Sequence, residues 1–329
     1  MAIVGGGIIG LACAFRAQQR GLSVCVLERS SAGGGATRAA AGVLAPDPET
    51  PGFTALARRS SELWPGFAAE LGDVGYTRCG SLVLAFDDAP IELDGERLDG
   101  AACRALEPGI AADCVGGVLL VEDAQVDPRR AAAALAHALG DALKANADVV
   151  DMTPESVELA DGARIDADRV VLAAGAWSSR RLAKRLEVHP VKGQTLRLRG
   201  PLPATRIIRS EHVYVVPRAT GETVIGATVE DAGFDETPTD DATQLLLGQA
   251  IRAVPAVADL ELVEAVASLR PGTPDNGPLI GEWEGLLVAC GHFRNGILLA
   301  PITADAVAAL LTGDAPPPET TAFDPSRFD

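Results

Sequence analysis

A glycine-rich turn near the N-terminus constrains the fold of this 329-residue chain more than any other feature. AIVG (Ala2 to Gly5), which leads into the turn, predicts a short buried strand, and Ile8 to Arg20 has helical spacing. Gly21 ends this helix, and SVCVL (Ser23 to Leu27) predicts a second buried strand. The start of the chain is therefore expected to form a strand–helix–strand unit of roughly thirty residues.

The glycines of the turn, Gly5, Gly7 and Gly10, follow the pattern G-x-G-x-x-G, and Glu28 follows the second strand. Glycine allows a tight turn and lets a pyrophosphate approach the helix N-terminus. Glu28 can accept hydrogen bonds from a ribose hydroxyl, and its charge disfavours a 2′-phosphate. The pattern predicts a dinucleotide site and leaves NAD and FAD both open.

Composition argues against several classes of partner. Apolar residues make up 47% of the chain, which suits two domains with sizeable cores. The formal net charge of −17 argues against nucleic acid or an anionic membrane as the main partner, and no window is apolar for long enough to span a membrane. The six cysteines form no C-x-x-C pair and there are only four histidines. We therefore expect no disulfide framework, no metal site and a cytoplasmic protein.

The rest of the chain alternates between α/β and β-rich stretches. Pro128 to Asn146 predicts a helix that begins at proline, and Asp168 to Gly175 predicts a strand. Residues 190–264 are β-rich and carry one helix near residues 239–253. The predicted fold class is α/β (α+β overall), with a Rossmann-like dinucleotide domain interleaved with a β-rich domain.

Three further stretches favour FAD over NAD. RIDADRVVLAAGAWS (Arg164 to Ser178) resembles the second fingerprint of FAD-binding oxidoreductases. ATRAAAGV (Ala36 to Val43) resembles the loop that touches the flavin in amine oxidases. CGHFRNGILLAP (Cys290 to Pro301) resembles a C-terminal glycine motif in which a helix N-terminus faces the flavin pyrimidine ring. In that motif the helix dipole would stabilise the negative charge of the reduced ring. Together the three resemblances imply that the cofactor is FAD, bound non-covalently.

Seven stretches spread over nearly the whole chain carry a wider resemblance. They are GGGIIG from Gly5, AAAGVL from Ala39, PVKG from Pro190, HVYVVPR from His212, IGAT from Ile225, LRPGT from Leu269 and GHFRNGILLAP from Gly291. In this order they resemble the FAD-dependent D-amino-acid-oxidase-like (DAO) family, and within it the glycine oxidases of thiamine biosynthesis.

The resemblance implies a division of the chain and an activity. The FAD-binding domain is expected at residues 1–75, 125–186 and 265–329, and the substrate-binding domain at residues 76–124 and 187–264. The implied activity is oxidative deamination of glycine, and by extension of sarcosine or small D-amino acids, by hydride transfer to flavin N5. The products are an imine, which gives glyoxylate and ammonia, and hydrogen peroxide from oxygen. A homo-oligomer and a sulfur-carrier or thiazole-synthase partner are also expected.

The resemblance implies roles for the residues around the substrate. Arg270, in the LRPGT stretch, is expected to clamp the substrate carboxylate, because a planar guanidinium pairs bidentately with a carboxylate. Tyr214 is expected to donate its hydroxyl to the same carboxylate, and strand alternation predicts that His212 lies on the same face. Arg294 is expected to contact substrate and flavin, and His292 to make a structural contact with the flavin loop.

The resemblance also implies a set of cofactor-binding residues, most of them small or apolar and in glycine-rich stretches. They are Gly5, Gly7, Ile8, Ile9, Gly10, Glu28, Arg29, Ala36, Thr37, Ala41, Gly42, Val43, Val149, Gly175, His292, Phe293, Arg294, Asn295, Gly296, Ile297 and Leu298. Cys290 adjoins this set, but a buried cysteine usually acts as a small hydrophobe, and no covalent flavin link is predicted.

Some residues depart from the family pattern. Arg38 stands where the flavin loop usually has a small hydroxyl residue, and Val43 and Val229 stand where longer methionines are expected. The preference among glycine, D-alanine and sarcosine therefore stays open, since one methylene is worth only about 1–3 kcal/mol in such discrimination. The alternatives are a D-amino-acid or sarcosine oxidase of the same fold, and a flavin dehydrogenase with another electron acceptor. The predicted first strand begins almost at the N-terminus, so either this strand is short or the natural chain starts upstream.

Overall fold

Helices and strands alternate along the residues that the computed structural model describes, which are 1–47, 50–87, 90–183 and 185–328. The α-helices are α1 (Ile8–Gln19), α2 (Ala36–Ala39), α3 (Phe53–Leu71), α4 (Gly100–Leu106), α5 (Pro128–Leu139), α6 (Asp240–Ala253) and α7 (Gly296–Thr312). Within the described residues, no helix is both long enough and apolar enough to cross a membrane.

The strands fall into two large and two small sheets. They are β1 (Ala2–Val4), β2 (Cys25–Glu28), β3 (Val43–Leu44), β4 (Ser81–Ala85), β5 (Glu96–Asp99), β6 (Gly116–Leu120), β7 (Ala124–Gln125), β8 (Leu143–Ala145), β9 (Val149–Thr153), β10 (Ser156–Leu159), β11 (Arg164–Asp166), β12 (Val170–Leu172), β13 (His189–Arg199), β14 (Ile207–Arg209), β15 (Tyr214–Pro217), β16 (Glu222–Gly226), β17 (Glu261–Gly272), β18 (Leu279–Trp283) and β19 (Leu286–Cys290).

The first large sheet has the order β18-β19-β12-β1-β2-β8 and is parallel except for β18 at its edge. Its centre is β1, where Ile3 pairs with Val171 of β12 and with Val26 of β2. The apolar faces of α1, α3, α5 and α7 pack together with this sheet in one buried cluster. The predicted strand–helix–strand unit at the N-terminus is therefore confirmed.

The second large sheet has the order β17-β13-β16-β15-β14-β4-β6-β5 and takes its strands from two separate parts of the chain. Its pairs are antiparallel except β14 with β4, where Ile208 lies opposite Leu82. The longest pairing joins β13 to β17 and places Val191 opposite Arg270. This mixed architecture confirms the predicted fold class. The domain boundaries stay a prediction, and the one between residues 264 and 265 falls inside β17.

The predicted helix from Pro128 to Asn146 is wrong in its second half. Asp127 caps the N-terminus of α5 by accepting from the N–H groups of Arg129 and Arg130, but the helix ends at Leu139. Gly140 follows with φ +51°, a left-handed conformation that ends a helix at little cost only for glycine. Gly140–Ala142 form a 3-10 turn, and Leu143–Ala145 form β8, which pairs in parallel with β2 and extends the first sheet.

The glycine-rich turn is a packing contact as well as a turn. Gly5 has φ +113°, and a Cβ built on it would lie 2.3 Å from the carbonyl oxygen of Ala173. A Cβ on Gly10, in the first turn of α1, would lie 2.0 Å from the carbonyl oxygen of Gly5. The start of α1 therefore touches the end of β1 directly, and only glycine fits at this contact.

Replacing Gly10 by alanine is expected to destabilise the FAD-free protein, because the new methyl group overlaps the Gly5 carbonyl. Overpacking of this kind costs about 1–3 kcal/mol, which urea denaturation of the apo-protein measures as a loss in the free energy of unfolding.

Gly248→Ala is the matched control, since Gly248 is also helical and a Cβ there meets no atom within 4 Å. Alanine should stabilise α6 by about 0.5–1 kcal/mol. Equal stabilities for the two variants would contradict the proposed contact.

Candidate active site

A cavity of about 850 Å³ lies between the two large sheets. One wall is the carboxyl edge of the parallel sheet, with Val4 and Leu27 at the ends of β1 and β2. This is the edge at which open α/β sheets bind their ligands. The other wall comes from the second sheet and includes Tyr214 and Arg270. Every predicted site residue lines the cavity except Gly10 and Leu298.

Gly10 and Leu298 do not line the cavity, for different physical reasons. Gly10 packs against the Gly5 carbonyl, so its side facing the turn is already filled. Leu298 is 2% exposed, and its carbonyl oxygen accepts from Ser60 Oγ at 2.7 Å and from Trp64 Nε1 at 2.9 Å. Both residues contact neighbouring parts of the fold, and their membership of the cofactor-binding set stays a prediction.

Glu28 organises the turn at one end of the cavity. Its carboxylate accepts the N–H of Gly6 at 2.7 Å and the N–H of Ser30 at 2.9 Å. Arg29 follows, with its guanidinium carbon 3.7 Å from the centroid of the Trp177 ring, and both residues line the cavity. That Glu28 binds a ribose hydroxyl stays a prediction, and the structure shows the acid in place for it.

The segment from Ala36 to Val43, which we call the alanine loop, forms the middle of the cavity wall. It begins with α2, where the buried hydroxyl of Thr37 accepts the N–H of Ile8 at 3.0 Å and so joins the loop to the start of α1. Arg38 turns away from the cavity, has a 54% exposed side chain and forms an ion pair with Glu264. The arginine that departs from the family pattern therefore does not enter the site.

The stretch after β19 brings a bare backbone and a helix start to the cavity. Gly291 has φ +71° and Phe293 has φ +46°, so the chain turns sharply twice before α7 begins. The Phe293 N–H donates to the carbonyl of Pro271 at 2.9 Å, which joins this turn to β17. Arg294 and Asn295 line the cavity next to it, and the side chain of Arg294 is exposed.

His292 is buried beneath this turn. Its ring nitrogen Nε2 lies 3.0 Å from Thr303 Oγ1 of α7, and the residue is 3% exposed. Burial lowers the pKa of His292 to about 3, so the imidazole is neutral at physiological pH. The contact supports a structural role for His292 and opposes one as a proton carrier.

Arg270 and Tyr214 each lie over a glycine of a neighbouring strand. A Cβ on Gly193 would lie 2.1 Å from Arg270 Nη1, and a Cβ on Gly226 would lie 2.4 Å from the Tyr214 hydroxyl. Arg270 Nη1 also donates to the carbonyl of Thr228 at 3.0 Å. Because Gly193 and Gly226 have no side chains, the Arg270 guanidinium and the Tyr214 ring can lie directly over them.

Burial changes the proton affinity of both groups. It raises the pKa of Tyr214 above its usual value, an effect that the nearby Arg270 and Arg294 oppose. It lowers the pKa of Arg270, with the charge of Arg294 adding to the effect and Tyr214 opposing it. Tyr214 is therefore a neutral hydrogen-bond donor, and Arg270 is a desolvated cation for which an anionic ligand is a favourable partner.

His212 lies at the mouth of the cavity. Its side chain is 63% exposed and lies 3.6 Å from Glu211. The strand β15 begins only at Tyr214, and His212 belongs to a bend before it. Strand alternation does not extend to His212, which lies outside the strand, but His212 and Tyr214 line the same cavity, and a role for His212 stays a prediction.

Three further residues from the sequence predictions line the cavity. Val43 is partly buried, and Val229 is 69% exposed at the edge of the site. Cys290 is 1% exposed, and burial raises the pKa of its thiol to about 12. A thiol held in its protonated form is a poor nucleophile, which agrees with the prediction that Cys290 makes no covalent flavin link.

The sequence predictions missed several residues that line the cavity. Gly193 and Gly226 support the two substrate-facing side chains, and Thr195 and Trp177 also border the space. A signal was available for the glycines, because glycine inside a long strand pattern marks a close approach to another group. Among the described residues, no cluster of His, Cys, Asp or Glu could hold a metal ion.

A parallel sheet with a glycine turn at its carboxyl edge, opening on a cavity shared with a second sheet, defines a dinucleotide-dependent oxidoreductase. Residues 1–310 match the protein family described as DAO, FAD dependent oxidoreductase. The chain belongs to this family, and FAD is its cofactor. This confirms FAD over NAD.

Individual relatives are similar over nearly the whole chain. Glycine oxidase of Geobacillus kaustophilus is 34% identical over 100% of this chain and 95% of its own length, and its crystal structure superposes with a TM-score of 0.92 over 99% and 98% of the two chains. The bifunctional protein ThiO/ThiG of Trichormus variabilis is 37% identical over 99% of this chain. The chain spans 54% of that relative's length, about half.

The cavity fits an extended dinucleotide with an isoalloxazine ring. A Cβ on Gly35 or Gly175, which both line the cavity, would meet no atom within 4 Å, so bare backbone borders open space there. Neither N-cap residue of α1 and α7 makes a side-chain cap hydrogen bond, and neither first turn has an acidic residue, although Thr37 accepts the Ile8 N–H of α1. The positive ends of these two helix dipoles are therefore available to a pyrophosphate and to the reduced ring.

The neutral, buried state of His292 predicts a pH dependence of stability. Its pKa rises from about 3 in the folded protein to the ordinary value of 6.5 on unfolding, so its contribution is complete above pH 6.5 and is lost as the pH falls towards 3. Between pH 7 and pH 5 the FAD-free wild type should lose about 2 kcal/mol more than His292→Gln, measured by urea denaturation.

The control for this measurement is His137→Gln, since His137 is exposed on α5. It should keep the wild-type pH dependence. A His292→Gln variant that loses stability in parallel with the wild type would show that folding does not lower the pKa of His292.

Proposed function

We propose that the chain is an FAD-dependent oxidase that deaminates glycine. One observation carries the proposal: Arg270 and Tyr214 meet in the cavity that the alanine loop and the turn before α7 also line. A cation and a phenol donor next to the flavin-facing backbone suit an amino acid bound by its carboxylate. The glycine oxidase of Geobacillus kaustophilus, similar from end to end, supports the same activity.

Arg270 is the proposed anchor for the substrate carboxylate. Its Nη1 is held by the carbonyl of Thr228, and the guanidinium lies against the backbone of Gly193. A planar guanidinium fixed at one nitrogen presents its other edge in a defined direction, so it pairs with a carboxylate at little cost in conformational entropy. Tyr214, kept protonated by burial, donates to the same carboxylate.

The protein contributes to the reaction by positioning the substrate and by excluding water from the site. When bound, the flavin would supply the oxidation, as acceptor of a hydride from the substrate α-carbon and donor of the electrons to oxygen. Anchoring the carboxylate by Arg270 holds the α-carbon in one place, which lowers the barrier by removing translational freedom. His292 is neutral and buried, and His212 is exposed beside Glu211 at the mouth of the cavity, so the proposal assigns no proton transfer to either imidazole. Water then converts the imine to glyoxylate and ammonia.

A pathway role is part of the proposal. The name ThiO/ThiG of the Trichormus variabilis relative denotes two functions in one protein, and this chain matches one half of it. This supports transfer of the imine to a thiazole synthase or sulfur-carrier partner in thiamine biosynthesis. The homo-oligomer and the cytoplasmic location stay predictions.

A second substrate class has a structural argument of its own. Val43 and Val229 are shorter than the methionines that the family resemblance leads us to expect, and both line the cavity. Shorter side chains leave room for one more carbon on the substrate. Sarcosine and D-alanine are therefore the competing substrates, and the protein is then an oxidase of the same fold with a wider pocket.

The visible spectrum of the purified protein tests the proposal directly. Under anaerobic conditions the wild type should be yellow and should bleach when glycine is added, because bound flavin is reduced by its substrate. A protein that bleaches with sarcosine or D-alanine, and stays yellow with glycine, would transfer the assignment to the second class. A spectrum that none of the three amino acids changes would reject amino-acid oxidation.

Gly193→Ala is expected to weaken substrate binding without removing the arginine. The added methyl group overlaps the Arg270 guanidinium and forces it out of position. The KM for glycine should rise by roughly tenfold or more, as expected when a charged hydrogen bond is lost, while the spectrum of the oxidised flavin stays unchanged.

Gly66→Ala, in α3, where a Cβ meets no atom within 4 Å, is the control. It should keep the wild-type KM. An unchanged KM in Gly193→Ala would show that Arg270 does not bind the carboxylate.

A further inference from the structure

Five successive carbonyl groups of the alanine loop accept hydrogen bonds from outside the loop. The carbonyl of Arg38 accepts from Arg129 Nε at 3.0 Å and from Arg197 Nη2 at 3.2 Å, and the carbonyl of Ala39 accepts from Thr195 Oγ1 at 2.8 Å. The carbonyl of Ala40 accepts from Arg197 Nη2 at 3.5 Å, and that of Ala41 accepts from Arg218 Nη2 at 2.8 Å. The carbonyl of Gly42 accepts from the Val126 N–H at 2.9 Å. A loop of small residues, with no bulky side chain to pack, is thus held by its own backbone.

Two of these donors are buried arginines, Arg197 of β13 and Arg218, which directly follows β15. Arg197 is 2% exposed and Arg218 is 4% exposed, and neither lines the cavity. Both therefore lie behind the loop as seen from the cavity. Burying a guanidinium costs several kcal/mol by order of magnitude, and packing alone is served as well by an apolar side chain. The hydrogen bonds to the loop supply a reason for the two cations.

Carboxylates around these arginines compensate part of the charge. Glu222 accepts from Arg197 at 2.6 Å and lies 3.2 Å from Arg218. Arg218 also lies 3.9 Å from Asp127, and Glu264 pairs with Arg38 and Arg129. Arg197, Arg218 and Arg129 thus meet three carboxylates, so these groups balance in charge, and Arg38 is 54% exposed. The guanidinium groups of Arg197 and Arg218 are the charges that contact the loop itself.

The direction of the carbonyl groups determines what the loop shows to the cavity. The peptide bonds of the loop are trans, and in a trans peptide the C=O and the following N–H point in opposite directions. Drawing the carbonyls of Ala40 and Ala41 back towards the arginines turns the N–H groups of Ala41 and Gly42 towards the cavity. The loop then offers hydrogen-bond donors where a flavin ring would lie.

We propose that Arg197 and Arg218 are positioning residues, which hold the alanine loop so that its N–H groups face the flavin and place a positive charge behind it. The inference rests on the proposed function only in placing the flavin against this loop. Both effects favour the anionic, reduced ring, because donors and positive charge stabilise negative charge in a buried site.

The test compares Arg218→Met with the wild type through three properties of the flavin. We expect the Kd of the apo-protein for FAD, from fluorescence titration, to rise roughly tenfold to hundredfold, since a charged hydrogen bond to the loop is lost. The reduction potential of the bound flavin should fall, and the visible absorption bands should shift. Arg218→Lys keeps the positive charge but lacks the planar guanidinium. Relative to Arg218→Met, it should therefore restore the flavin reduction potential more fully than the affinity for FAD.

Arg206→Met is the matched control, because Arg206 pairs at 2.7 Å with Glu107, which is 1% exposed, and neither residue lines the cavity. This variant likewise removes a guanidinium from a buried ion pair and should lower the Tm while the FAD Kd, potential and spectrum stay as in the wild type. The proposal is overturned if Arg218→Met likewise lowers only the Tm. Should Arg218→Met fail to fold, Arg218→Lys decides by the same three readouts.

These readouts separate the inference from the proposed activity, because none of them involves glycine. A wild-type flavin that glycine does not bleach would reject the substrate assignment and leave the positioning role in force. Normal bleaching by glycine, with an unchanged FAD Kd, potential and spectrum in Arg218→Met and Arg218→Lys, would reject the positioning role alone.

Discussion

The contact between Gly10 and the carbonyl of Gly5 is the constraint on which the rest of the site depends. It allows α1 to start directly at the end of β1, so that the helix N-terminus faces the carboxyl edge of the parallel sheet. The β12 strand ends beside the same turn, since Ala173 also touches Gly5. A single larger side chain here would move the helix away from the edge and displace one wall of the cavity.

The second sheet completes the site by reaching across to the first. Arginines and a threonine of β13 and its neighbours hold the alanine loop, and Arg270 of β17 enters the same cavity. The cofactor-facing loop is therefore shaped by residues far from it in sequence. This explains why a loop composed almost entirely of alanine and glycine can keep one conformation, although it has almost no side chains of its own to pack.

The fold class and the dinucleotide turn were predictable from local patterns in the sequence, whereas the placement of Arg270 and Tyr214 in one cavity followed from the resemblance to the DAO family. The sequence was less informative where tertiary contacts decide. The residues after Leu139 have helical composition, but Gly140 and a free sheet edge next to β2 turn them into β8. Gly10 and Leu298 belong to motifs whose other members face the cavity, and only packing shows that these two face away. The arginines behind the alanine loop gave no sequence signal, since any strand can carry an arginine.

The hydrogen bond from the Phe293 N–H to the carbonyl of Pro271 has a consequence for how this enzyme could diversify. Pro271 directly follows Arg270, so the strand that carries the proposed substrate anchor is hydrogen-bonded to the turn that starts α7. A backbone shift that adapted Arg270 to a longer amino acid would also displace the helix end beside the flavin. A change of substrate specificity is therefore expected mainly through side chains outside this hydrogen-bonded connection, such as Val43 and Val229. The position of Arg270 itself should change slowly.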